Sequence, residues 1–270
     1  MQETGVPGTG KAAARKTAAT VAADATMARR ASISPSNLLM CGRFTLRTPA
    51  AILKDFFGLP DLPGLTPRYN IAPTQPVGTV RAGAAGMEWV ELRWGLVPSW
   101  ADDLSIGGRM INARSETVAE RRAFREAFEQ RRCLVAADGF YEWQKREDGS
   151  KQPFYMTRAN AEPFAFAGLW DRWRDRKTGT VVESCAVITT APNSLLAPIH
   201  DRMPAILDRD GATEWLRPDA APGTLDVLLQ PFPADHMAAV PVSHHVNRSA
   251  SDDSSCIAPV ASAPISPRLF

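Results

Sequence analysis

Cys133-Leu134-Val135-Ala136-Ala137-Asp138-Gly139-Phe140-Tyr141-Glu142-Trp143-Gln144-Lys145 reads as two short strands, 133–137 and 139–145. Asp148-Gly149 follows as a hairpin turn, and Pro153–Thr157 supplies the return strand. Strand alternation sets Phe140, Glu142 and Gln144 on one face and Tyr141 and Trp143 on the other. Outward from this hairpin, the β pattern continues in both directions. Upstream lie β-type runs near Val77–Arg81 and Met87–Val97, and a short strand from Cys41 to Arg47. Downstream lie Pro163–Leu169, Val181–Thr189 and a last strand near Ala238–Val242.

Helices are few. Thr48 as N-cap and Pro49 at the first helical position predict a helix through about Phe57. Ser115 is expected to cap a helix to about Gln130, and short helices are expected at Ala212–Leu216 and Thr224–Leu229. Residues 58–76, rich in Pro and Gly, read as a long ordered loop. Many strands with few helices, and no βαβ alternation, predict an α+β fold. Its core is a curved, barrel-like, mainly antiparallel sheet with a few peripheral helices.

The 270 residues are 44% hydrophobic and 22% charged, which argues against a wholly disordered chain. No apolar run approaches the ~18–20 residues a bilayer span needs. Net charge is +2, which excludes a strongly basic, histone-like protein. Residues 1–39 carry net +3 and the rest of the chain −1. That first segment holds ten alanines and no aromatic residue. It lacks the apolar core of a secretory signal. It reads as a disordered extension, or as a mis-assigned start with Met40 the true initiator. Residues 40–250 are expected to be the catalytic domain and 251–270 a loose C-terminal tail. Four cysteines at long spacings give no CxxC pair and no disulfide scaffold, so a reducing cytoplasm is the default.

Met40-Cys41-Gly42-Arg43 sets a cysteine directly after a methionine. If Met40 is removed, Cys41 carries both a thiol and an α-amine of pKa about 8. Such an aminothiol can form a Schiff base with an aldehyde and close it to a thiazolidine ring. The ordinary alternative for a lone cysteine is a buried small hydrophobe. Glu142, a carboxylate among aromatics, suits general acid–base work, unless it is simply an exposed strand residue. His200, within Pro198-Ile199-His200-Asp201-Arg202-Met203-Pro204, lies in a charged loop of the kind that often carries function. Asn112 and Arg114 end a loop where a helix is expected to begin, so Asn112 could orient a nucleophile or polarise a carbonyl and Arg114 could meet a phosphate, unless they serve ordinary capping. His244-His245 has no third ligand nearby in sequence, so no metal and no cofactor are expected.

Six segments appear here in the order they take in the SOS-response-associated peptidase (SRAP) family. They are Met40–Phe44, Pro67–Pro73, Trp94–Pro98, Ile111–Thr117, Gly139–Trp143 and Ile199–Pro204. The chain resembles that family over about residues 40–250. The resemblance implies an abasic-site processing protein that binds single-stranded DNA. Its N-terminal Cys41 would form a thiazolidine crosslink with the ring-opened abasic aldehyde. It implies catalytic roles for Cys41, Asn112, Glu142 and His200, and DNA contacts from Arg43, Asn70, Trp100, Arg114 and Thr189. The family name also implies self-cleavage to expose Cys41. A cytoplasmic monomer, associated with the nucleoid when bound to DNA, is expected. The 39 residues before Met40 depart from the family pattern: they are not translated, or are cleaved, or the crosslinking function is lost. Two other readings remain: a cysteine peptidase acting on other proteins, and a noncatalytic single-strand binding module.

Overall fold

The computed structural model describes residues 42–84 and 86–260. The described residues fall in one compact unit. Cys41 and the extension before it lie outside them.

The strands in chain order are β1 (Phe44–Leu46), β2 (Arg68–Ile71), β3 (Pro76–Gly83), β4 (Gly86–Trp94) and β5 (Asn112–Arg114). They continue as β6 (Arg132–Ala137), β7 (Gly139–Lys145), β8 (Lys151–Arg158), β9 (Phe164–Arg174) and β10 (Val181–Thr190). The last are β11 (Met203–Pro204), β12 (Ile206–Leu207) and β13 (Met237–Pro241). The helices are α1 (Ala50–Phe57), α2 (Arg125–Gln130), α3 (Arg209–Trp215) and α4 (Pro222–Leu228), with short 3-10 turns between elements.

Strands β10, β4, β3, β6 and β9 close into a barrel, because β9 pairs with β10 as well as with β6. A ring of five strands cannot alternate direction at every step. One neighbouring pair must run parallel, and here it is β10 with β4. β5 takes over the same edge of β10 beyond β4, also parallel, with Asn112 opposite Val187 and Arg114 opposite Thr189. A second sheet, ordered β13-β8-β7-β1-β2, is antiparallel throughout. It packs on the barrel through aromatic edges. Phe44 meets Trp94 at 5.1 Å and Phe166 at 5.6 Å, and Phe140 meets Phe166 at 6.0 Å. The Phe140 face of β7 therefore looks at the barrel. Tyr141 and Trp143, on the other face, pack with Val242, Val246 and Cys256.

The expected α+β, barrel-like fold is the observed one, and the Asp148-Gly149 hairpin joins β7 to β8 as read. Four details differ. Pro49, not Thr48, occupies the cap of α1, because the Thr48 hydroxyl donates to Asp138 instead. The loop at 58–76 contains β2, which gains its hydrogen bonds from β1 rather than from any local signal. The helix expected from Ser115 is broken into a one-turn 3-10 helix at Ser115–Thr117 and the short α2. Residues 251–260 are not loose. Cys256 is fully buried, and Val242 bridges Pro259. A Ser/Ala/Pro-rich composition could not show that Asp252 accepts hydrogen bonds from the backbone N–H groups of Tyr69 and Asn70 and from Arg68.

Candidate functional site

Glu142 lies on the barrel-facing side of β7 and is 2% exposed. His200 reaches it from the loop after β10. Asn193 shapes that loop, its side-chain oxygen accepting from the N–H groups of Leu195 and Leu196 at 3.1 and 3.0 Å. Leu196 and Ile199 bury their side chains, and the His200 N–H donates to Leu196 O at 2.9 Å. Gln144, two residues along from Glu142 on the same face, donates to Pro198 O at 3.1 Å and ties the loop to β7. The result sets His200 Nε2 3.9 Å from Glu142 Oε2. The Arg202 N–H donates to His200 Nδ1 at 3.2 Å, so the neutral ring carries its proton on Nε2, toward Glu142. Protonated, the ring also has Asp201 Oδ1 within 3.1 Å of Nδ1.

Arg202 fastens this loop to the β5–β10 edge. Its guanidinium grips Glu116 through both carboxylate oxygens, at 2.5 and 2.9 Å, and donates to Thr189 O at 2.5 Å. Hydrogen bonding from Arg202 lowers the Glu116 carboxyl pKa. Thr189 is fully buried, its hydroxyl 3.4 Å from Ala113 O. Asn112 is half-buried and Arg114 exposed on the same short strand. The structure thus groups Glu142 with His200, and connects them through Arg202 to Thr189 and the β5 strand.

Arg43 and Asn70 form a separate cluster. Asn70 is 0% exposed, and its amide nitrogen donates to the carbonyls of Val246, Arg248 and Ser251 at 3.1, 2.9 and 2.7 Å. Arg43 donates to Asn70 Oδ1 at 2.9 Å and to Val246 O at 3.0 Å, and burial lowers its pKa. Through these bonds both side chains, expected at the DNA, tie residues 246–251 to β2 and to the chain just before β1. Trp100 is exposed at a turn, with the Arg122 guanidinium 4.6 Å from its ring centroid.

The register of β1 matters most. Phe44 pairs with Phe140, and the Tyr141 N–H donates to Arg43 O at 3.0 Å. That bond carries the chain just before β1 alongside Tyr141, the neighbour of Glu142 on β7. A cavity of about 240 Å³ lined by Phe56, Arg158, Glu162, Asp208, Arg209 and Asp210 shares none of these residues. Its arginines are already paired, Arg158 with Glu162 and Arg209 with Asp55.

Sequence reasoning missed Gln144, Glu116 and Arg202 as the parts that aim His200. Arg202 sits inside the quoted His200 motif, and Gln144 shares the Glu142 face. Those were the available signals.

A family model described as SOS response associated peptidase (SRAP) matches residues 40–249. The abasic site processing protein YoqW of Bacillus subtilis is 42% identical over 212 residues, covering 77% of this chain and 94% of that one. The abasic site processing protein YedK of Escherichia coli is 31% identical, covering 82% of this chain and 100% of that one. The crystal structure of a Bacteroides thetaiotaomicron protein superimposes with a TM-score of 0.69 at 25% identity, over 82% of this chain and 100% of that one.

Proposed function

The chain belongs to the SOS response associated peptidase family, and on that premise we propose that it processes abasic sites in single-stranded DNA by covalent capture. The Cys41 α-amine attacks the aldehyde carbon of the ring-opened sugar. Loss of water gives a Schiff base. The Cys41 thiol then adds across the C=N bond and closes a thiazolidine ring. One water leaves in the whole sequence, and no oxidant or metal is needed.

The β1 register carries this reading. Gly42 is bonded to Cys41, and successive Cα atoms lie about 3.8 Å apart. The pairing of Phe44 with Phe140 and the Tyr141 bond to Arg43, two residues from Cys41 in sequence and beside Glu142 on β7, support Cys41 as the group on which Glu142 and His200 act. Glu142 serves as general base for the amine and general acid for the departing water. His200, with its Nε2 proton, donates to the sugar oxygen as the ring opens. Asn112 orients the amine. Arg114, exposed beside the site, meets a phosphate. Trp100 offers an exposed ring to a base, with stacking worth ~1–3 kcal/mol. Thr189 acts through Arg202. Arg43 and Asn70 contribute by anchoring rather than by touching DNA.

The chemistry requires a free Cys41 amine. The Cys41 thiol, Glu142 and His200 are also the groups that hydrolysis of the Met40–Cys41 bond would use, so the peptidase in the family's name is read as maturation. The test is a denaturing gel of protein with single-stranded DNA holding one abasic site. A covalent band is expected, absent with intact DNA, absent after the aldehyde is capped with methoxyamine, and absent with Cys41→Ser. A band of equal strength on intact DNA, or none with the unblocked wild-type chain, would overturn the proposal.

A further inference from the structure

His244-His245 offers no nearby third ligand in sequence, yet the fold supplies two partners. The 3-10 turns at His244–Asn247 and Ser254–Ile257 pack against each other. They bring His245, Asp253 and Cys256 together with one ligand atom from each within 4.8 Å of the others. We propose that these three side chains form a divalent-metal site selective for zinc, which staples the two turns of residues 242–260 to each other.

The donor set is one nitrogen, one oxygen and one sulfur, which suits zinc and disfavours the hard cations magnesium and calcium. His245 Nε2 and Asp253 Oδ2 are 3.1 Å apart. Ligands at about 2.0–2.1 Å in a tetrahedral site stand roughly 3.3 Å from each other, so that edge is already set. The thiol is farther off and must swing inward, giving up only a weak 3.5 Å contact with Ser251 O.

The other groups of these residues are fixed. Asp253 Oδ1 accepts the Ser255 N–H at 2.8 Å, leaving Oδ2 for the metal. The Cys256 N–H donates to Asp253 O at 3.0 Å, and the His245 N–H to Ser243 Oγ at 3.2 Å. His244 turns away, its Nε2 3.0 Å from Lys151 O, and is not a ligand. Binding releases the Cys256 thiol proton to solvent, leaves His245 neutral and keeps a water in the fourth position. The thiolate and carboxylate then balance the dication, so the occupied site is neutral where the empty one carries −1, beside Arg43, which interacts electrostatically with Cys256.

The occupied site would join both turns of the segment that Asn70 and Arg43 hold. The test uses the full chain with Cys41→Ala, which removes any competing aminothiol. Co²⁺ is titrated first, then Zn²⁺. One Co²⁺ per chain is expected, with a thiolate-to-cobalt band in the near ultraviolet that Zn²⁺ erases. Tm should rise with Zn²⁺. His245→Ala changes a partly exposed side chain, so it should fold normally. It should weaken binding by at least ~100-fold, since even outer-shell losses cost 10–100-fold. Loss of the band in Cys256→Ala identifies the sulfur. Absence of a thiolate band, or a band that survives His245→Ala and Asp253→Asn, would overturn the site.

Discussion

Single side chains in this protein divide into those that hold and those that act. Asp138 holds. It is 6% exposed and accepts from the Thr45 hydroxyl at 2.6 Å, the Arg47 N–H at 2.5 Å, and the Thr48 N–H and hydroxyl at 2.7 and 3.0 Å. Asp138→Ala strips the partner from all of them, and should lower stability by about 2–4 kcal/mol in urea unfolding. Glu142 acts. Glu142→Gln should slow crosslinking by ~10²–10⁴-fold with little change in DNA affinity, measured by single-turnover gels beside binding anisotropy. Asn70→Ala should behave like Asp138→Ala, lowering stability, because its bonds all go to the protein's own backbone and to Arg43. If Asn70→Ala cut DNA affinity while leaving the unfolding midpoint unchanged, its assignment as an anchor would fail.

At the scale of elements, the β7–β8 pair couples two buried phenols, Tyr141 opposite Tyr155. The Tyr141 hydroxyl donates to Tyr69 O at 2.7 Å, and the Tyr155 hydroxyl lies 2.8 Å from Thr45 Oγ1. Gly139 leaves room for this, since a Cβ there would lie 2.2 Å from the Tyr155 hydroxyl. Burial pushes the Tyr155 phenol up to about 12 and raises Tyr141 well above its ordinary value. A phenol whose pKa is higher folded than unfolded stabilises fully below about 10. That contribution is lost as pH rises toward about 12, because only the unfolded chain gives up its proton. The urea midpoint should therefore fall steeply between about pH 10 and 12. Tyr155→Phe should flatten that fall. A second element-level device is the Gly95–Gly107 contact. Gly95 has φ +126°, and a Cβ on it would lie 2.6 Å from Gly107 O. Gly95→Ala should cost at least about 2 kcal/mol by the same measurement.

Across the whole molecule, the sequence made local pairing legible and long-range closure illegible. The β7–β8 hairpin was readable because alternation and an Asp-Gly turn are local signals. The face assignment of Phe140 and Glu142 followed from the same alternation. The barrel's parallel β10–β4 step was not readable, because it joins segments about ninety residues apart and is forced by ring parity rather than by composition. β2 and the packed 251–260 segment were missed for a like reason, as each is held by partners far along the chain. Motif order proposed the site's residues but could not separate Asn70, whose side chain binds backbone carbonyls, from Arg114, an exposed cation. Charge belongs to this scale too. The chain after residue 39 carries net −1, so attraction to DNA must come from local cations. Arg114→Ala should weaken binding evenly across sequences and reduce the slope of log K against log salt by ~1.

The most direct test of covalent capture at Cys41 is the intact mass of protein from its native host, before and after incubation with abasic single-stranded DNA. The account predicts a chain beginning at Cys41, which then gains the mass of one DNA strand less one water, in an adduct that borohydride does not alter. A mass that retains the residues before Cys41 and does not shift would contradict it.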